Sequence, residues 1–161
     1  IEGNVASTLK GTIGSDTLTG NDGSDTIEGR EGADVLTGGN RQDTFVFSTG
    51  DTGILEAEAD TITDFVSGND LLDFTSISSG NLGTYVEVNG TANSFAAFST
   101  NATNSFSGSD IDIYVEYNLN GSGNTYVFVD ENKSGDVSAG DTLLILTGLS
   151  GADAIGSSDF V

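Results

Sequence analysis

"GNDGSDTIEGREGADVLTG", residues Gly20 to Gly38, runs through one pattern twice: a glycine, two variable positions, a second glycine, one variable position, an aspartate, another variable position and an aliphatic residue. The step extends beyond the quoted stretch, because Leu9, Leu18, Ile27, Leu36 and Phe45 fall nine residues apart and Asp16, Asp25, Asp34 and Asp43 keep the same spacing. Four units in one register begin at Gly11, Gly20, Gly29 and Gly38, each with aspartate sixth and a large apolar residue eighth, and a weaker unit ends at Leu9. A period of nine is too short for a helix with its connection and too long for a hairpin arm. It suits a strand of about three residues followed by a tight turn of about six.

The residue types divide into two jobs. Glycine tolerates positive φ and close backbone approach, so Gly11, Gly14, Gly20, Gly23, Gly29, Gly32 and Gly38 allow a tightly wound turn whose carbonyls point one way. The aspartates add charge beside those carbonyls. Carbonyl and carboxylate oxygens together form the ligand set a hard cation such as calcium takes, at roughly 2.3 to 2.6 Å. The eighth residue points the other way, into a narrow core. Turns stacked about 4.8 Å apart would put carboxylates in rows that repel by about 1 kcal/mol per neighbouring pair in water and about 4 kcal/mol at an effective dielectric of 20. Folding is therefore expected to need the metal.

On these residues the stretch resembles the G-G-x-G-x-D-x-U-x nonapeptides of the RTX (repeats-in-toxin) family, which wind into a calcium-loaded parallel β-roll. In that family two nonapeptides make one turn, so the resemblance implies pairing of Asp16 with Asp34 on one edge and Asp25 with Asp43 on the other. It implies several Ca2+ ions held by Gly11, Ile13 and Asp16, by Gly20, Asp22 and Asp25, by Gly29, Glu31 and Asp34, and by Gly38, Asn40 and Asp43. Thr12, Asn21 and Arg30 stand where the family has its second glycine, and Arg41 replaces the fourth-position glycine of the last unit, which puts the last site in question.

Composition agrees with a calcium module. The chain has 161 residues, 35% of them hydrophobic, with 25 acidic against 4 basic side chains and a net charge of −21. Such a balance argues against nucleic acid or an anionic membrane surface as partner and favours cations. There is no cysteine, so no disulfide framework is available and calcium would be the staple. No apolar run is long enough to span a bilayer, and without an initiating methionine or a signal-peptide pattern the chain reads as a fragment of a larger protein, expected to be monomeric. No helical period is read anywhere in it.

Beyond Gly50 the nonapeptide phase is lost and alternation replaces it. Asp60, Ile62 and Asp64, then Leu71 and Asp73, mark two short strands around a turn at residues 67–70. Together with Phe45 and Phe47, "DTITDFVSGNDLLDF" resembles the segment that closes the roll in serralysin-type proteases and other type I-secreted proteins. Asp60 and Asp64 are candidates for a terminal calcium, with a capping role for solvated acids as the other reading. In "DIDIYVEYNL", Ile111, Ile113, Val115 and Tyr117 share one face and Asp110, Asp112, Tyr114 and Glu116 the other, which predicts a half-buried antiparallel strand. Phe95, Phe98 and Phe106 are read as core in preference to a carbohydrate-stacking platform.

A second metal candidate is "DENKSGDVSAGD", with Asp130, Asn132, Ser134, Gly135 and Asp141 at the first, third, fifth, sixth and twelfth positions of an EF-hand-like loop and the carbonyl of Asp136 as a further ligand. Its flanks "TYVFV" and "TLLILTGL" read as strands, so an Asx-rich turn between two strands is the equal alternative. The same stretch resembles a D-x-N-x-x-G-D turn near the end of type I-secreted proteins, and "LTGLSGADAIGSSDFV" resembles the uncleaved signals that export system reads.

With no histidine and no cysteine the chain lacks the usual general base, zinc ligands and thiol nucleophile, and the patterned acids are already accounted for by the repeat. The expectation is a non-enzymatic, all-β module: a short parallel β-roll over residues 1–50 and a mostly antiparallel jelly-roll or sandwich-like cap over 51–161. It would fold on calcium outside a bacterial cell after passage through the type I secretion machinery, as part of a protein that can itself be an enzyme. A polysaccharide- or surface-binding accessory module is the second reading. Only Lys10, Arg30, Arg41 and Lys133 are available to bind acidic sugars.

Overall fold

The computed structural model describes residues 5–74, 84–89, 92–108, 111–149 and 155–161; Asp110 and residues 150–154 of the signal-like end lie outside the described residues. The repeat produces one three-residue strand per unit: β1 (Thr8–Lys10), β2 (Thr17–Thr19), β3 (Thr26–Glu28), β4 (Val35–Thr37) and β5 (Thr44–Val46). Successive strands go to opposite sheets. β1, β3 and β5 pair in parallel with Leu9 beside Ile27 and Ile27 beside Phe45, while β2 and β4 pair with Leu18 beside Leu36. Two nonapeptides thus complete one turn, and the eighth-position residues form two facing columns in which Ile27, Leu36 and Phe45 are wholly buried.

Both columns continue past the repeats. β6 (Asp60–Ile62) sets Ile62 beside Leu36, and β7 (Leu71–Asp73) sets Leu72 beside Phe45. The turn at residues 67–70 therefore joins strands of opposite sheets, each parallel to the strand it pairs with. Phe160 adds a bridge to Leu72, with the amide of Val161 donating to the Leu72 carbonyl and that of Phe74 to the Val161 carbonyl.

The second sheet then widens. β11 (Thr142–Leu146) pairs in parallel with β6, placing Leu146 beside Ile62. β10 (Thr125–Val129) runs antiparallel to β11 and to β9 (Ile111–Tyr117), and β8 (Thr84–Asn89) is parallel to β9. The architecture is all-β, a β-roll-like four-stranded sheet facing a mixed seven-stranded one. Every residue of β10 and β11 is buried, as near-continuous apolar runs require when both faces of a sheet are covered.

One face carries Ile113, Val115, Val127, Val129, Leu144 and Leu146 into the same core as the roll columns. The other face is covered by a helix, α1 (Phe95–Phe106), which corrects the absence of any helix in the sequence reading. Ser94 caps it, its hydroxyl accepting the Ala97 amide at 3.2 Å, and Phe98, Ala102 and Phe106 form its buried stripe. Phe98 stacks on Phe128 with ring centroids 5.0 Å apart and meets Tyr126 at 5.5 Å. Phe98 and Phe106 are core, as expected, and Phe95 packs half-buried against them. Because α1 lies over it, the polar face of β9 is not half-exposed: Asp112, Tyr114 and Glu116 are buried, and Glu116 accepts the Ala92 amide and the Tyr114 hydroxyl.

Candidate metal centre

Each sixth-position aspartate sits at the end of a turn, just before its strand, so parallel stacking lines the aspartates up in two rows. The amide of Asp16 donates to Asp34 Oδ1 at 2.8 Å and that of Asp34 to Asp60 Oδ1 at 2.9 Å. In the other row the amide of Asp25 donates to Asp43 Oδ1 at 2.8 Å and that of Asp43 to Asp70 Oδ1 at 3.0 Å. The structure brings together Asp16 with Asp34 and Asp25 with Asp43. Ser7 begins the second row, its amide donating to Asp25 Oδ1 at 2.6 Å.

The second carboxylate oxygens differ along the rows. Asp16 Oδ2 accepts the Thr12 amide and hydroxyl, and Asp25 Oδ2 accepts the Asn21 amide. The Oδ2 atoms of Asp34, Asp43 and Asp60 are buried with no hydrogen-bond partner. In the repeats they lie against the first-position glycines: a Cβ on Gly29 would collide with Asp34 Oδ2 and one on Gly38 with Asp43 Oδ2. On Gly11 or Gly20 it would also strike the carbonyl of Gly29 or Gly38, one full turn on.

Burial raises the carboxyls of Asp34 and Asp43, against the pull of the amides they accept, and neighbouring aspartates add to the rise. Asp60 is pushed up to about 8 by burial first, and the charges of Asp34 and Asp51 add to it while the Asp34 amide opposes. A buried carboxylate oxygen without a donor is a site for a cation, and the donor set around these atoms is oxygen alone. Among the described residues no three acidic, histidine or cysteine side chains converge to hold a metal unaided. A bound ion would therefore take main-chain carbonyls as ligands, as the glycine turns allow.

The third-position side chains of Ile13, Asp22, Glu31 and Asn40 are exposed at the turn rims, with Asn40 Nδ2 donating to Asp22 at 2.7 Å across one turn. Asp64 is turned to the backbone, its two oxygens accepting the amides of Gly38 and Gly39, each at 2.8 Å. Arg41 takes φ 81 and Arg30 φ 72, so the chain follows a glycine-like path at both substituted positions. Asp70 is the row member the sequence reading missed. "GNDLL", Gly68 to Leu72, repeats the G-x-D-x-U core of the nonapeptide, and the sequence places its first three residues, Asp70 included, in the turn at 67–70.

The loop at Asp130 is a hairpin connection between β10 and β11. Asp130, 3% exposed, accepts the amides of Ser134 at 3.1 Å and Gly135 at 2.8 Å. Asn132 Oδ1 accepts the Ser134 amide at 2.8 Å, and the Ser134 hydroxyl donates to Asp136 Oδ1 at 2.6 Å. Gly135, at φ 77, makes the reversal. Asp141 is buried at the far end of the loop, with Oδ2 on the Ser138 amide at 2.7 Å.

Fold and rows together define a calcium-type repeat roll. Residues 10–45 match the RTX calcium-binding nonapeptide repeat in four copies. RTX nonapeptide repeats bind several Ca2+ ions, so calcium is the cofactor of this stretch. No curated protein matches the chain at a significant level. Among solved structures it is similar to the AlgE6R3 subunit of the Azotobacter vinelandii mannuronan C5-epimerase, at 20% identity and TM-score 0.35, over 100% of this chain and 80% of that one. The AlgE6R2 subunit of the same enzyme is 20% identical at TM-score 0.40, over 99% of this chain and 89% of that one.

Proposed function

We propose that the chain is a calcium-operated folding module, without catalysis of its own, in a larger bacterial protein that is exported by a type I system and folds outside the cell. The observation that carries this is the set of buried, unpartnered Oδ2 atoms of Asp34, Asp43 and Asp60. Repulsion within the rows keeps the roll open where calcium is scarce, which suits passage through a channel, and ion binding closes it where calcium is abundant. Calcium when bound supplies the positive charge the rows lack. The chain's residues supply the rest: Asp16, Asp25, Asp34, Asp43 and Asp60 the carboxylates, Gly11, Gly20, Gly29 and Gly38 the close-stacked carbonyls, and Ile27, Leu36, Phe45, Ile62 and Leu72 the core that holds successive turns in register. We place the repeats within residues 1–50 and the cap within 51–161, with β6 and β7 joining the two. Far-UV circular dichroism of the whole chain during calcium titration tests the reading. A β signal that grows with calcium and is lost to chelator supports it, and a spectrum indifferent to both overturns it.

A further inference from the structure

The two sheets of the roll end differently. In the second sheet β11 continues the stack beyond β6, whereas in the first the edge of β7 takes the bridge from Phe160 and the main-chain bonds of Val161. Phe160 extends the column of Leu9, Ile27, Phe45 and Leu72 by one place, and its ring lies 6.3 Å from that of Phe74 and 5.6 Å from that of Tyr85. Ile155, wholly buried, anchors the start of this segment, its carbonyl accepting the Tyr85 hydroxyl at 2.7 Å. Residues 155–161 thus lie across the last turn of the roll.

Asp159, 1% exposed, is the centre of the segment. Its Oδ1 accepts the Gly68 amide at 2.8 Å, and its Oδ2 accepts the Ser67 hydroxyl at 2.7 Å and the Gly156 amide at 2.8 Å. It is not a further member of the row. The pattern of the rows would have the Asp70 amide donate to the next aspartate, but it donates to the Val66 carbonyl at 2.8 Å. Asp159 grips instead the turn that leads into Asp70. Asp70 Oδ2 accepts the Val66 amide at 2.8 Å and Oδ1 accepts the Asp43 amide at 3.0 Å. Asp43 carries one of the buried carboxylate oxygens without a partner. A continuous set of hydrogen bonds therefore runs from Asp159 through the turn at residues 66–70 to Asp43.

We infer that residues 155–161 are a calcium-dependent clasp, in which Asp159 positions the turn at 66–70 for the ion at Asp43, so that ion and clasp strengthen each other and the segment is accessible only while calcium is absent. The inference rests on the calcium reading of the rows. Without the ion, repulsion along Asp25, Asp43 and Asp70 opens the last turn, and β7, to which the clasp bonds, loses its place. With the ion bound, β7 and its turn are already ordered and the clasp docks at a smaller entropic cost. Such coupling is reciprocal: docking raises calcium affinity by the factor by which calcium raises docking.

Two measurements on the whole chain test it, calorimetric titration with calcium and amide hydrogen exchange with and without chelator, using Asp159→Asn, Phe160→Ala and Phe98→Ala. Asp159→Asn sets an amide group against the donors of Gly68 and Gly156. It is expected to weaken one calcium site at least fivefold and to speed exchange of the Val161 amide in saturating calcium. Phe160→Ala, which leaves Asp159 in place, should do both in the same direction and decides the matter if Asp159→Asn does not fold. Phe98→Ala, whose site lies in the other core cluster, should bind calcium as the parent does. In the parent, chelator should speed exchange of the Val161 and Phe74 amides by about tenfold or more. Parental calcium affinities in both Asp159→Asn and Phe160→Ala would overturn the inference and leave the roll reading intact. So would Val161 protection that survives chelator while Ile27 and Phe45 lose theirs. An equal loss of affinity in Phe98→Ala would overturn it in favour of general destabilisation. A parent chain that takes up no calcium overturns the calcium reading itself, and the clasp with it, a result the parent titration alone tells apart.

Discussion

The roll and the cap are built from the same kind of strand but held by different forces. In β3 and β5 one residue of three is fully buried, whereas in β10 and β11 all five are. A roll turn contributes one large apolar side chain to each sheet, and it sets a row of carboxylates beside it. The cap sheet is apolar on both faces, closed on one side by the roll core and on the other by α1. Burial of this kind is worth about 1.5–3 kcal/mol for each large side chain. The cap has many such side chains and the roll few, so the roll is the part whose order depends on an ion.

Chelation should produce the largest effect and break the molecule along this line. Amide exchange at Ile27, Leu36 and Phe45 is expected to lose its protection without calcium, while Val127 and Leu144 keep more of theirs. Equal loss in both groups would mean that roll and cap melt as one unit. Phe98→Ala approaches the comparison from the cap side. It empties a fully buried site stacked on Phe128, so a loss of about 3–5 kcal/mol is expected, of similar size at any calcium concentration above saturation. A deficit that vanished in high calcium would tie α1 to the metal.

Within the roll, Asp34→Ala should lower calcium affinity at least tenfold and Asp73→Ala only slightly, because Asp34 contributes a buried unpartnered oxygen to a row and Asp73 lies outside both rows. Calorimetry giving equal affinities for the two variants would refute the row assignment. Protons should partly replace calcium. In chelator the folded state holds the Asp60 proton up to about pH 8, against a usual carboxyl value of 3.8. The folded state is thus the tighter proton binder, so stability from this group is fully present below about pH 4 and is lost as pH rises through about 8. The chelated chain should gain β signal on acidification across that window, and saturating calcium should flatten the profile.

What the sequence disclosed follows from how local each constraint is. The columns Leu9–Ile27–Phe45 and Leu18–Leu36 and the pairing of aspartates one turn apart were legible because a fixed period makes each unit predict the next. The continuation of the ladder was less so, since the Asp amide donors skip from spacings of 18 to 26 and 27 residues when the loop after Phe47 and the turn before Asp70 intervene. Asp60, Ile62, Leu71 and Asp73 were recognised as strand residues, but their parallel partners are set by stacking and not by alternation. Helix α1 is masked in the sequence although Phe95, Phe98, Ala102 and Phe106 keep helical spacing, because the Ser, Thr and Asn between them favour turns. Asp70 carries a different lesson, because a turn signal at residues 67–70 hides a repeat signal.

Arg41 gives the smallest expected effect and the sharpest test of whether the roll's turns are limited by metal or by backbone. The sequence marks Arg41 as a defect because it stands where the repeat has glycine. The structure shows an exposed side chain on a backbone at φ 81, with its carbonyl accepting Asn69 Nδ2, a bond any residue at this position can keep. Left-handed φ costs a non-glycine residue roughly 1–2 kcal/mol. Replacing it by glycine relieves that strain but gives the unfolded chain more freedom, an opposing term of roughly 0.5–1 kcal/mol. Arg41→Gly should therefore raise stability by about 0.5–1 kcal/mol in saturating calcium, read as a higher urea midpoint with an unchanged slope. Asn118→Gly, at φ 58 in the cap, is the control and should gain less, since asparagine tolerates this region better than arginine. If Arg41→Gly is neutral in stability yet tightens calcium binding, the arginine's charge is what weakens the last turn. If it is stabilising with calcium affinity unchanged, backbone strain is the limit and the metal row tolerates the substitution.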